Sequence, residues 1–225
     1  MLVGGHAALA WAAVYGVRHA FTTDDLDWHT TDRRAPGVYA ERLGAAATLR
    51  EATDGGFHLA VVNVEDDVGT PRTVDFISGV HGVAHSEQLE QKAVELDIGG
   101  IKLRVLHPVH VLCSKVANLN LPGRGRGMDV AQARVAVHVV GAFAHDVARQ
   151  DPRAARRLAQ RVYELAKTEA ARDARVRHGV DVYAAIEPWP EMDPDFREHY
   201  YVRCRERLDA AHEARVQRLS EGSVG

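Results

Sequence analysis

The sequence predicts an α/β (α+β) protein: a small mixed β-sheet core with flanking helices, followed by a C-terminal helical extension. Three observations carry that prediction. β-rich runs separated by turn residues occur at 57–64 and 72–80, and again at 93–98 and 101–106, each pair spaced as a hairpin. Helical patterning takes over from Pro108 and runs nearly without interruption from Val130 onward. Near the N-terminus, a short apolar run, Leu2 to Gly5, leads into an almost wholly apolar helical stretch, His6 to Tyr15. The expected division is a core over 1–128 and a helical region over 129–225.

Composition narrows the functional classes. With 46% apolar and 26% charged residues, the 225-residue chain reads as a globular protein. A net charge of −3 provides no global basic field, so any nucleic-acid contact must be local. Cys113 and Cys204 form no CxxC pair, which fits a reducing compartment. No apolar run reaches the roughly 18 residues of a membrane span and no signal peptide is recognisable, so a cytoplasmic protein without a membrane partner is expected. The pairs His81/His85 and His107/His110 lack a helix with a third ligand, so zinc is not expected.

Taken in order, Leu2 to Gly5 reads as a buried strand ending at a glycine pair. The helix that follows has its N-terminal N–H groups behind Gly4 and Gly5, an arrangement that suits phosphate; a tight strand-to-helix turn without a ligand is the other reading. Asp25 to Thr30 reads as a strand, which puts Asp25 and Asp27 on one face and Leu26 and Trp28 on the other. Aspartates are disfavoured within strands, and two carboxylates about 4 Å apart repel by about 4 kcal/mol at an effective dielectric near 20. A divalent cation reverses that repulsion, and an oxygen-rich site that also holds phosphates suits Mg²⁺. The alternative is a polar turn ahead of a solvated strand start.

A helix is expected over Pro36 to Glu51, then a hairpin whose turn includes Glu65-Asp66-Asp67 and Gly69-Thr70-Pro71. Pro108 opens a helix with an apolar stripe, and Lys115 lies on its flank, able to extend past the core. Asn120 to Gly127 is a basic, glycine-rich loop. Asp129, with Gln132 three positions on, has capping-box spacing at the head of a long helix. Helices are expected at about 130–149, 152–174 and 195–220, with a shorter helical piece near 180–187.

Val3-Gly4-Gly5-His6-Ala7-Ala8-Leu9 together with Thr23-x-Asp25-Leu26-Asp27 resembles the nucleotidyltransferase superfamily that includes the DNA polymerase β-like enzymes. Within it the chain is similar to the AbiEii-type toxins and the uncharacterised nucleotidyltransferase families. Nineteen residues separate Gly5 from Asp25, more than is usual there.

The resemblance implies a nucleotidyltransferase fold over about residues 2–140, and a transfer of a nucleoside monophosphate from an NTP to an RNA, protein or small-molecule hydroxyl. Asp25, Asp27 and Asp75 would be the catalytic, metal-holding carboxylates of a two-metal Mg²⁺ site. Asp75 has its own alternative, an ion pair with Arg72 or Arg104. Gly4, Gly5, Thr23, Lys115 and Asp129 would contact the nucleotide, with Arg126 as the basic residue accompanying Asp129. A tRNA or protein acceptor and an antitoxin partner are implied as possible companions. The rival expectation is a nucleotide-binding or interaction protein that keeps the fold without turnover.

Overall fold

The computed structural model describes residues 1–45, 47–49, 57–66, 68–84, 86–91 and 93–222. Asp67, His85 and the last two residues of the helix expected over 36–51 lie outside them. The fold is of the expected mixed α/β class, and the chain divides into two compact units, Met1–Ser114 and Lys115–Gly225. That division comes earlier than the expected boundary after residue 128. Asn120 already belongs with the helices, because its Nδ2 donates to the Ala170 carbonyl at 3.2 Å.

In the first unit a four-stranded sheet has the order β1 (Asp25–His29), β4 (Pro71–Ile77), β3 (His58–Glu65), β2 (Ala47–Leu49). β1 runs parallel to β4, and the remaining pairs are antiparallel. Alternation sends Leu26, Trp28, Val74, Phe76, Ala60 and Val62 into one core, which α2 (Ala35–Arg42) covers with Ala40 and Tyr39. The Tyr39 ring meets Phe76 edge-on at 5.4 Å. The opposite face carries Asp25, Asp27, Thr73 and Asp75.

The expected helix over 36–51 is corrected by this arrangement. It stops at Arg42, Gly44 turns left-handed at φ +62°, and residues 47–49 pair with β3 instead. A strand edge with unpaired backbone groups outcompetes an isolated helical preference there. The expected strand at Leu2–Gly5 is reduced to Leu2, which bridges Trp28 on one side and Val105 on the other, while α1 (Gly4–Tyr15) begins two residues early. Leu2 thereby joins β1 to the hairpin of β5 (Val94–Ile98) and β6 (Ile101–Val105). Trp11 anchors α1 by donating from Nε1 to the Leu106 carbonyl at 2.8 Å. Between the two sheets in sequence lies α3 (Ser86–Gln91), a short helix not anticipated, and α4 (Pro108–Asn118) opens at its proline as expected.

The second unit is helical: α5 (Gly127–Gln150), α6 (Pro152–Ala166), α7 (Glu169–His178), a 3₁₀ turn (Val182–Ala185), a π turn (Phe196–Tyr200) and α8 (Tyr201–Gly222). α5 and α6 pack on each other, and both bury small residues such as Ala133, Ala144, Ala155 and Ala159. The single helix expected over 152–174 is two helices. Thr168 makes the break, its hydroxyl donating to Leu165 O and accepting from Ala171 N as the cap of α7. No described helix is long and apolar enough to cross a membrane.

An ion-pair knot ties α7, α8 and the segment between them. Arg205 donates to Asp181 and Asp209, and Arg175 reaches Asp209 at 2.6 Å. The Arg205 hydrogen bond, with help from Arg175, pulls the Asp209 carboxyl from its ordinary 3.8 to about 2. A depressed carboxylate stabilises the fold above its unfolded pKa and loses that contribution as pH falls through the folded one. The melting temperature of the wild type should therefore drop between pH 4 and pH 2 more steeply than that of Asp209→Asn; parallel curves would deny the knot its role.

Candidate functional site

The register of β1 against β4 sets Asp25 beside Thr73 and Asp27 beside Asp75. Neighbouring strands lie about 4.8 Å apart, so the Asp27 and Asp75 side chains leave the sheet as close neighbours on the same face. Two charges at about 5 Å repel by about 3 kcal/mol at an effective dielectric of 20. The alternative for Asp75 is a counter-charge from Arg72 or Arg104. Arg72 and Arg104 do not supply it: Arg72 pairs with Asp66 at 3.1 Å and Asp24 at 3.7 Å, and Arg104 donates to the Glu90 carbonyl. Asp75, 17% exposed at its side chain, instead has His58 Nδ1 4.0 Å from its Oδ1.

The glycine pair meets this face directly. Gly4 sits at φ +64°, and a Cβ built there would fall 1.6 Å from Asp27 Oδ2, so the Asp27 carboxylate rests against the Gly4 backbone. Gly5 does the same for Thr23, whose Oγ1 would lie 2.8 Å from an added Cβ. Val3 N also donates to the Asp27 carbonyl at 3.0 Å. The long link between Gly5 and Asp25 does not separate the two motifs. It is taken up by α1, which ends at left-handed Gly16, and by the return segment 17–24. α1 starts at Gly4 with Val3, which has no side-chain oxygen, at its N-cap, so its first N–H groups gain no side-chain cap from that residue.

An open cleft of about 630 Å³ at this end of the sheet is lined by His6, Thr22, Thr23 and Asp24 together with Leu26, Tyr39 and Val74 from the core side. His6 Nδ1 lies 3.1 Å from the Asp25 carbonyl oxygen. His6, His58 and Tyr39 were not singled out from sequence. The hairpin register could have pointed to His58, but a bulge between His58 and Ala60 breaks the count.

The chain matches no family model and no curated protein sequence. The functional argument therefore rests on the chemistry of this face. Three carboxylates form a hard-oxygen donor set that suits Mg²⁺ in type. Their side chains are not drawn together, however: among the described residues, no three His, Cys, Asp or Glu groups are gathered as a metal cage.

The two remaining expected residues belong to the helical unit. Lys115 does not extend past the core as the sequence suggested: it is 6% exposed, and its Nζ donates to Gln132 Oε1 at 2.7 Å. Gln132, needed for the capping-box alternative, is thus engaged with the lysine. Asp129 does not cap α5, which Arg126 precedes; it lies in the first turn, with Arg124 Nη1 3.5 Å away. Arg124, not the expected Arg126, is the basic partner.

Proposed function

We propose that the acidic face of β1 and β4 is the catalytic site of a Mg²⁺-dependent nucleotidyltransferase of the polymerase β-like superfamily, akin to the AbiEii-type toxins. The observation that supports this best is Asp27 standing beside Asp75 on parallel strands while its carboxylate rests on Gly4 at the head of α1. Asp25, Asp27 and Asp75 would hold the metal, which when bound neutralises the developing charge on the transferred phosphoryl group. Gly4, Gly5 and Thr23 would receive the triphosphate at the helix N-terminus, where N–H groups favour anions. Lys115, buried on Gln132, and Asp129, paired with Arg124, belong to the helical unit and are left out of this site.

In the reaction, an acceptor hydroxyl oxygen bonds to the α-phosphorus, the bond from that phosphorus to the β-phosphate oxygen breaks, and pyrophosphate leaves. Asp75 takes the hydroxyl proton. The acceptor classes are an RNA such as tRNA, a protein or a small molecule. A cytoplasmic setting and an antitoxin protein that masks the site belong to the same proposal. The test is incubation with each radiolabelled NTP, Mg²⁺, and total cell RNA or protein. Label transferred to one acceptor class is expected.

A nucleotide-binding protein of the same fold without turnover is the second reading, favoured by the ungathered carboxylates. NTP binding by calorimetry with no label transferred to any acceptor would decide for it.

A further inference from the structure

The glycine-rich loop between α4 and α5 plays no part in the proposed transfer chemistry, yet arginines without an acidic partner gather beside it. Residues 115–225 carry 19 Lys and Arg against 16 Asp and Glu, a net of +3, whereas residues 1–114 carry 9 against 15, a net of −6. Within the helical unit some arginines, such as Arg175, Arg205 and Arg215, are neutralised by acidic neighbours. Others are not, and three of these lie in or beside the loop.

Gly125, at φ +81°, lies so close to the end of α7 that an added Cβ would fall 3.1 Å from the His178 ring. Arg134 on α5 donates from Nη2 to the His178 carbonyl at 3.0 Å. Arg124 and Arg126 flank Gly125 in the loop, and exposed Arg177 precedes His178 in the last turn of α7. Arg124 is paired with Asp129, but Arg126, Arg134 and Arg177 make no ion pair among the described residues. Three exposed arginines thus lie on the loop, on α5 and at the end of α7 close to the half-exposed His178, and Asp129 in the first turn of α5 is already paired with Arg124.

We infer that this surface binds single-stranded RNA, with the arginines on backbone phosphates and the His178 ring available for stacking by an unpaired base. Guanidinium groups bind phosphate through paired N–H donors, and single strands are held by basic surfaces combined with stacking rings. RNA displays unpaired loops and ends, whereas cellular DNA is held mostly as duplex. A surface built from a loop and a helix end offers no element to enter a duplex groove. The inference goes beyond the transfer reading and stands without it, since binding needs neither Mg²⁺ nor NTP.

The test uses the full chain and a fluorescently labelled 20-nucleotide single-stranded RNA, read by anisotropy across a salt series without Mg²⁺ or NTP. Arg126→Ala with Arg177→Ala should weaken binding roughly tenfold or more, and should lower the slope of log affinity against log salt by about 1.4, two phosphate contacts at about 0.7 each on a single strand. Circular dichroism should show both double variants folded. The charge-matched control, Arg153→Ala with Arg161→Ala on the exposed face of α6, should bind as the wild type does. Equal loss in both variants would reduce the effect to general attraction and overturn the site. Preference for duplex RNA, or capture of poly-glutamate in place of RNA through the same arginines, would overturn the assignment of the partner.

Discussion

Asp27→Asn should lower metal-dependent transfer at least about a hundredfold while leaving the protein folded. Asparagine keeps the volume of the side chain, and the hydrogen bond that the Asp27 carbonyl accepts from Val3 N is a backbone interaction that the substitution leaves intact. What disappears is one negative charge on the face shared with Asp25 and Asp75. Metal-assisted phosphoryl transfer draws several kcal/mol from such charge, and each 1.36 kcal/mol is about tenfold in rate. Removing a carboxylate beside Asp75 also lessens like-charge repulsion on that face, so the fold is expected to survive the substitution. Single-turnover rates with labelled NTP and melting curves read the two effects separately. A variant as active as the wild type, with its melting temperature unchanged, would remove Asp27 from the site and the transferase reading with it.

Much of this face was legible in the sequence because strand alternation is a strict rule. Asp25, Leu26, Asp27 and Trp28 had to divide between two faces, and they do. That Asp75 neighbours Asp27 was not in the pattern itself: a parallel pairing between β1 and β4 involves strands more than forty residues apart, and no local signal encodes their register. The helix boundaries after Arg42 and Lys167 were missed for a related reason. Helical composition continues through both, and the helices are ended by left-handed Gly44 with strand pairing in one case and by the Thr168 cap in the other. The Lys115 reading failed on tertiary context, since only the packing of α4 on α5 brings Gln132 to its ammonium group. Arg124 was passed over for Arg126 because a sequence motif counts positions, while a loop with left-handed Gly123 and Gly125 decides which arginine reaches Asp129.

Gly4→Ala should be the most damaging single-methyl change in the first unit, and a second glycine separates its two causes. At φ +64° any L side chain is strained, which costs about 1–3 kcal/mol. Gly16, at φ +63°, carries the same strain, but an added Cβ there meets nothing within 4 Å. Gly16→Ala should therefore lower stability by that amount and leave transfer intact. At Gly4 the new methyl would also stand 1.6 Å from Asp27 Oδ2 and 2.5 Å from its Cγ, far inside van der Waals contact, so the carboxylate must swing away or α1 must shift. Either movement separates Asp27 from the head of α1, and the expected result is a loss of transfer comparable to that of Asp27→Asn, added to the destabilisation shared with Gly16→Ala. Matched melting curves and transfer rates for the two variants test the idea at a temperature where both remain folded. If Gly4→Ala transferred label as fast as Gly16→Ala, the contact between Gly4 and Asp27 would be a packing detail with no part in catalysis.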